Sequence, residues 1–161
     1  MKLKAIVHAT DFSEHSKYAF ELACALARDH EAKLYIIHVK IPEPMIYGEG
    51  MINLPEEGFD ESLKRRLEEI VPAHGSIEVE RALLAGNPVT EIVNFAKKVD
   101  ADLIVMGTHG WTGLSRIIMG SVAENVVRKA HCPVLTVKHP VKLQELATAG
   151  EKERPAGSKT E

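Results

Sequence analysis

Apolar and polar positions fall into two alternating rhythms along most of this chain. Leu3 to Ala9 is a short run of strand type, and Thr10-Asp11-Phe12-Ser13 after it has the composition of a turn. Ala19, Leu22, Ala23, Leu26 and Ala27 then recur at helical spacing, with Glu14, Lys17, Glu21 and Arg28 off the stripe. Leu34 to Val39 returns to strand type. From 40 to 58 the chain carries Pro42, Pro44, Gly48, Gly50, Pro55 and Gly58, so neither helix nor strand is expected to persist there. A connection of that length points to a lid, a partner surface or disorder. Asp60 stands where it can cap a helix whose apolar positions are Leu63, Leu67, Ile70 and Val71.

Ile77 to Leu83 reads as a third strand, and its charges at Glu78, Glu80 and Arg81 suit a sheet edge or its neighbour. Asn87-Pro88 is a helix start, a cap followed by proline at the first helical position, and Ile92, Val93, Ala96 and Val99 carry that helix on. Asp102 to Met106 is the fourth strand, Ser121 to Ala130 the fourth helix and Pro133 to Val137 the fifth strand. Beyond His139-Pro140 the chain turns polar, with Lys152, Glu153, Arg154 and Pro155. The expectation is one domain over 1–139 and a mostly disordered tail over 140–161, with one helical turn near Leu143 to Leu146.

The sum, βαβαβαβαβ, predicts an α/β fold: a single doubly wound, Rossmann-like domain with a five-stranded parallel sheet and helices on both faces. Strands one, two and four are almost wholly apolar, as central strands covered on both sides should be. Right-handed crossovers and the polarity of strand three give the order 3-2-1-4-5. In that order the sheet reverses between strands one and four, and ligands bind at such a switch point, beyond the carboxyl ends of the strands.

Glycine placement leads to the same crevice. The run Leu103-Ile104-Val105-Met106 stops at Gly107; Gly110 follows, then a loop, then Gly120-Ser121 at the head of the fourth helix. A strand, a glycine-punctuated loop and an uncovered helix start are the parts of a phosphate cradle. Thr10 and Asp11 stand opposite, after strand one. The sequence has no G-x-x-x-x-G-K-[ST], hence no P-loop lysine, and no G-x-G-x-x-G after strand one. A response-regulator receiver would need an aspartate at the end of strand three, where this chain has Arg81-Ala82-Leu83-Leu84.

Composition narrows the partners. The 161 residues carry a net charge of −3, which argues against duplex nucleic acid as the main partner. No run approaches the length of a membrane span, and Met1-Lys2-Leu3-Lys4 leads straight into strand-like sequence, so no membrane insertion and a cytoplasmic location are expected. Two cysteines, Cys24 on a helix and Cys132 before a proline, read as reduced structural thiols and offer no zinc site.

With Gly107-x2-Gly110-x9-Gly120-Ser121 in view, the chain resembles a universal stress protein of the nucleotide-binding kind. The matching residues are Ala9-Thr10-Asp11-Phe12-Ser13, His38-Val39, Gly107-Thr108-His109-Gly110 through Gly120-Ser121-Val122-Ala123-Glu124-Asn125-Val126, and Pro133-Val134-Leu135-Thr136-Val137. They cover Met1 to about His139. The resemblance implies an ATP site, or one for AMP or another adenine nucleotide. Backbone groups at Val39 would meet the adenine edge, while Met106 and Gly107 line base and ribose. Thr10 and Asp11 would contact the ribose or a magnesium ion, with Asp11 the candidate metal contact. The N–H groups of His109, Gly110, Gly120, Ser121 and Val122 would hold the phosphates. It also implies a homodimer through strand five, by Val134, Leu135 and Val137, whose open apolar edge invites pairing.

Catalysis is a separate matter. Phosphoryl transfer needs charge at the γ-phosphate, and the loop offers only Arg116, with His109 as a candidate proton acceptor. The reading is nucleotide-gated regulation of an unnamed protein partner, in which ATP orders the 107–121 loop and the 40–58 segment, with at most slow ATP hydrolysis. A weak ATPase or phosphoryl transferase and a nucleotide-free dimeric adaptor stand as alternatives. Simpler roles were also weighed: Asp11 as a helix cap, His8 and His38 as strand residues with satisfied ring nitrogens, Trp111 as a loop anchor, and Met45 and Met51 as irregular packing.

Overall fold

A five-stranded parallel sheet in the order β5-β2-β1-β6-β7 forms the centre of the molecule. The structure, a computed structural model, describes residues 2–42, 46–47, 50–51, 57–73, 76–108 and 119–138. In chain order these give β1 (Ala5–Ala9), α1 (Glu14–His30), β2 (Lys33–Lys40), β3 (Ile46–Tyr47), β4 (Gly50–Met51), α2 (Glu57–Glu68), β5 (Val79–Ala85), α3 (Pro88–Lys98), β6 (Leu103–Gly107), α4 (Ser121–Lys129) and β7 (Val134–Val137). Counting the strands of the main sheet alone, the order is the expected 3-2-1-4-5, with the charged strand β5 on one edge and β7 on the other.

The sheet divides two cores. Neighbours along a strand point to opposite faces, so Ile6 packs with Ala19, Phe20 and Ala23 of α1, while Val7 packs with Ile92, Phe95 and Ala96 of α3 and Val126 of α4. Ile36 and Ile37 divide the same way, as do Val105 and Ile104. All six are fully buried, each worth about 1.5–3 kcal/mol on leaving water. This is why β1, β2 and β6 are continuous apolar runs. The ladder pairs Ala9 with Ile37 on one side and with Met106 on the other, so β1 and β6 end within one residue of each other while β2 runs three residues further, to Lys40.

Local chemistry sets the ends of the helices. Ser13 caps α1 by accepting from the Ser16 N–H (3.2 Å), and Asn87 caps α3 by accepting from the Thr90 N–H (3.2 Å), with Pro88 beginning that helix. Gly86 before it has φ 142°, a value L side chains avoid. Asp102 ties down the start of β1: its carboxylate accepts from the Lys4 N–H (2.7 Å) and the Ala5 N–H (3.0 Å), bonds that hold its pKa below the usual carboxylate range. Thr108, just past β6, donates its N–H to Val137 O (2.9 Å) and accepts at its own carbonyl from the Gly120 N–H (2.8 Å).

Several expectations are corrected. The 40–58 stretch is not free of strand: β3 and β4 pair antiparallel across Ile46–Met51 and Tyr47–Gly50. Helix α2 begins at Glu57, so Asp60 is inside it and accepts from Lys40 Nζ (2.8 Å) instead of capping. The same helix ends at Glu68, leaving Val71 beyond it and 62% exposed, because Arg81 donates to the Leu67 and Ile70 carbonyls and closes the helix there. Leu22, placed on the buried stripe of α1, is 38% exposed. The tail at 140–161 and Met45 lie outside the described residues. Among the described residues no helix is long and apolar enough to cross a membrane.

Candidate functional site

The carboxyl ends of β1, β2 and β6, together with the starts of α3 and α4, enclose a cavity of about 540 Å³. The order of the sheet puts it there: β1 runs to α1 on one face, β6 leads toward α4 on the other, and the divergence opens a crevice between them. Thr10, Asp11, Val39, Met106, Gly107, Gly120, Ser121 and Val122 all line it. These are eight of the ten residues named from sequence; the other two, His109 and Gly110, lie outside the described residues, as do Trp111 and Arg116.

The turn after β1 is rigid because it is hydrogen-bonded within itself. The Phe12 N–H donates to Thr10 Oγ1 (3.0 Å), Thr10 Oγ1 lies 3.0 Å from Ser16 Oγ, and Ser16 Oγ donates to Ser13 O (2.9 Å). With Ser16 donating to a carbonyl, the Thr10 hydroxyl proton goes to Ser16, so that hydroxyl is engaged in the turn. Asp11 Oδ1 accepts from the Ser13 N–H (3.0 Å), an Asx turn. Capping of α1 falls to Ser13, which removes the simpler role weighed for Asp11. Phe12 adopts φ 63°, a conformation few residues without a short polar side chain hold.

Helix α4 supplies the other wall. Its cap is Gly120, at φ −57° and ψ 146°, and among the described residues no side-chain cap hydrogen bond closes the first turn. The leading N–H groups of the helix therefore face the cavity with the positive end of the helix dipole behind them. Gly107 is a glycine for a reason unconnected with a ligand: a Cβ there would lie 3.1 Å from the His15 carbonyl carbon and 3.2 Å from the Ser16 nitrogen, against the start of α1.

The end of the cavity toward β2 was less visible in the sequence. Val39, Ile41, Leu63 and Ile92 make it apolar, and His38, Phe12 and Arg66 form a layered stack there. The rings of Phe12 and His38 are 4.4 Å apart, and the guanidinium of Arg66 lies 4.1 Å from the other ring's centre, that of Phe12. His38 Nδ1 carries the proton and donates to Thr10 O (2.8 Å), since a carbonyl can only accept. Burial pulls the His38 pKa below 6.5, the Thr10 bond opposes this, and the Arg66 charge adds to the lowering. His38 is thus neutral at pH 7. Arg66 was missed because nothing in helical periodicity marks an outward arginine as facing a cleft; the one clue was its place on the helix after the long connection.

A smaller cavity of about 340 Å³ lies beyond Phe12 and Arg66, between α1 and α2, and is lined also by His8, Phe20, Lys17 and Glu69. His8 corrects an expectation. Its Nδ1 bonds to Val105 O (3.1 Å), yet its buried Nε2 has no hydrogen-bond partner among the described residues. Burial lowers its pKa to about 4. Among the described residues no three His, Cys, Asp or Glu side chains gather as a metal site.

With this geometry in hand, the likenesses are specific. The universal stress protein family profile matches residues 2–138, and the chain belongs to that family. A universal stress protein of Methanocaldococcus jannaschii is 42% identical over 143 residues, covering 86% of this chain and 84% of the relative. The fold superposes on a universal stress protein solved in complex with cAMP, with TM-score 0.65, 29% identity and coverage of 86% of this chain and 98% of that one. It also superposes on an Archaeoglobus fulgidus universal stress protein in complex with dAMP, with TM-score 0.59, 29% identity and coverage of 86% and 100%.

Proposed function

We propose that this chain binds an adenine nucleotide, ATP in its fullest form, in the cavity at the ends of β1, β2 and β6, and that occupancy regulates its contacts with a protein partner. The observation that carries the reading is the start of α4: a helix opening on Gly120, with no side-chain cap among the described residues, at a cleft at the sheet's switch point. A volume of about 540 Å³ suits a ligand of nucleotide size. The related proteins bound to cAMP and dAMP support adenine as the base.

In this reading Gly120, Ser121 and Val122 present N–H groups to the phosphates, joined by His109 and Gly110 from the loop. The Val39 backbone meets the base edge, with Met106 and Gly107 beside base and ribose. Asp11 is a carboxylate of the cavity wall and would approach the ribose or a magnesium ion carried in by the phosphates; Thr10 lines the wall beside it, its hydroxyl engaged with Ser16 and its N–H and carbonyl with Ile37 O and His38 Nδ1. The nucleotide-binding domain spans 1–139 and 140–161 is a tail. The protein is cytoplasmic and pairs with a second copy through β7, at Val134, Leu135 and Val137.

Calorimetry with ATP, AMP and cyclic AMP tests the nucleotide reading, alongside denaturation and chromatography of the purified protein for a retained adenine nucleotide. Binding in the micromolar range or a co-purified nucleotide is expected; absence of both overturns it in favour of a nucleotide-free adaptor. Light scattering at micromolar concentration is expected to give a dimer, and a monomer counts against pairing through β7.

A further inference from the structure

Resting on the nucleotide reading, we infer that Arg66 is a specificity residue of the cleft, stacking its guanidinium plane on the aromatic base of the ligand. Three observations lead there. First, Arg66 lines the cavity from α2, on its apolar side among Ile41, Leu63, Val39 and His38, whereas the bare helix start at Gly120 and Ser121 belongs to α4. Second, the guanidinium has a ring beneath it: it lies 4.1 Å from the Phe12 ring centre, and Phe12 itself meets the His38 ring at 4.4 Å with the two tilted by 42°. His38 is anchored in turn by its bond to Thr10 O (2.8 Å). Third, the group it lies on is a ring: among the described residues no ion pair joins Arg66 to a carboxylate within this stack.

A planar cation held on an aromatic platform is suited to a second aromatic surface. Guanidinium stacks on π-faces, keeps its in-plane N–H groups for solvent or for ring acceptors, and is more weakly hydrated than an ammonium. An apolar slot that ends in such a plane favours a heteroaromatic base over a sugar or a phosphate. Phe12 gains a purpose beyond packing: its left-handed backbone, a strained conformation for a residue of this type, accompanies a ring placed between His38 and Arg66.

The test is a ligand series against two variants. Adenosine, AMP and ATP are titrated into the wild-type full chain, R66A and R66K, with thermal melts to confirm that both variants fold. Stacking predicts that R66A loses about three- to fivefold in affinity, by the same factor for all three ligands, and that R66K does not restore it because the plane is gone. Unchanged affinity in R66A overturns the inference while leaving the nucleotide reading intact. A loss that grows from adenosine to ATP and is restored in R66K also overturns it, since that is the mark of a point charge meeting phosphate. If the wild type binds none of the three, the nucleotide reading fails and this inference fails with it.

Discussion

Gly107 and His15 lie in such close contact that a methyl group between them would touch backbone: a Cβ on Gly107 meets the His15 carbonyl carbon at 3.1 Å. The end of β6 and the first turn of α1 are thereby locked together across the floor of the cleft. Gly107→Ala is expected to lower stability by about 1–3 kcal/mol, the usual cost of overpacking a site whose neighbour cannot yield. Urea unfolding without added nucleotide checks this. A fully stable variant that had lost only ligand affinity would show that Gly107 serves the ligand and not the packing.

Gly120 is the opposite case. At φ −57° and ψ 146° any L residue is comfortable, so Gly120→Val should fold with near-native stability. Its side chain would stand at the mouth of α4, and affinity for ATP should drop at least about tenfold if phosphates sit there. Retained ATP affinity in calorimetry would move the phosphates elsewhere.

His8 makes stability depend on pH. Its folded pKa of about 4 lies below the unfolded value near 6.5, so the unfolded chain binds more protons between these limits. The stability from keeping it neutral is complete above 6.5 and is lost as pH falls toward 4, a change of about 3 kcal/mol. Unfolding midpoints at pH 7 and pH 4.5, compared between wild type and His8→Phe, should show a steeper fall in the wild type. Parallel curves would mean that His8 titrates normally.

Turnover separates a regulator from an enzyme. Arg66 lies on the β2 side of the cavity in a ring stack, and no cluster of acidic or histidine ligands gathers among the described residues. Hydrolysis of ATP should stay below about 0.01 s⁻¹, the range of a GTPase with its arginine in cis. Phosphate release well above that rate would make the protein an ATPase.

The sheet was readable from sequence because its central strands are buried on both faces and therefore almost continuous in apolar residues; the charges on Glu78, Glu80 and Arg81 then chose the edge. What failed was local and tertiary. Pro55 and Gly58 read as breakers, yet α2 starts between them, at Glu57. Strands of two residues, as in β3 and β4, leave no periodicity to detect. At the site, topology and glycine spacing located the cavity with Thr10, Asp11, Gly107, Gly120 and Ser121 on its wall, since both report on the backbone; Val39, Met106 and Val122 came from the family resemblance. The Arg66–Phe12–His38 cluster escaped because side chains distant in sequence meet there, and a place on the helix after the long connection does not by itself say that an arginine will lie over a ring at the cleft. His8 misled for a related reason: a strand histidine looks satisfied until its neighbours are known.

Thr108, just past β6, has both its backbone groups committed, the N–H to Val137 on the outer strand and the carbonyl to Gly120 at the head of α4. One residue therefore belongs at once to the ladder at the sheet's margin and to the frame of the cradle. In the language of amide exchange, its proton opens only when the last rung of β7 opens, and the Gly120 proton opens only when α4 parts from β6. The two protons are thus native reporters, one for the margin of the sheet and one for the cradle, linked through a single residue.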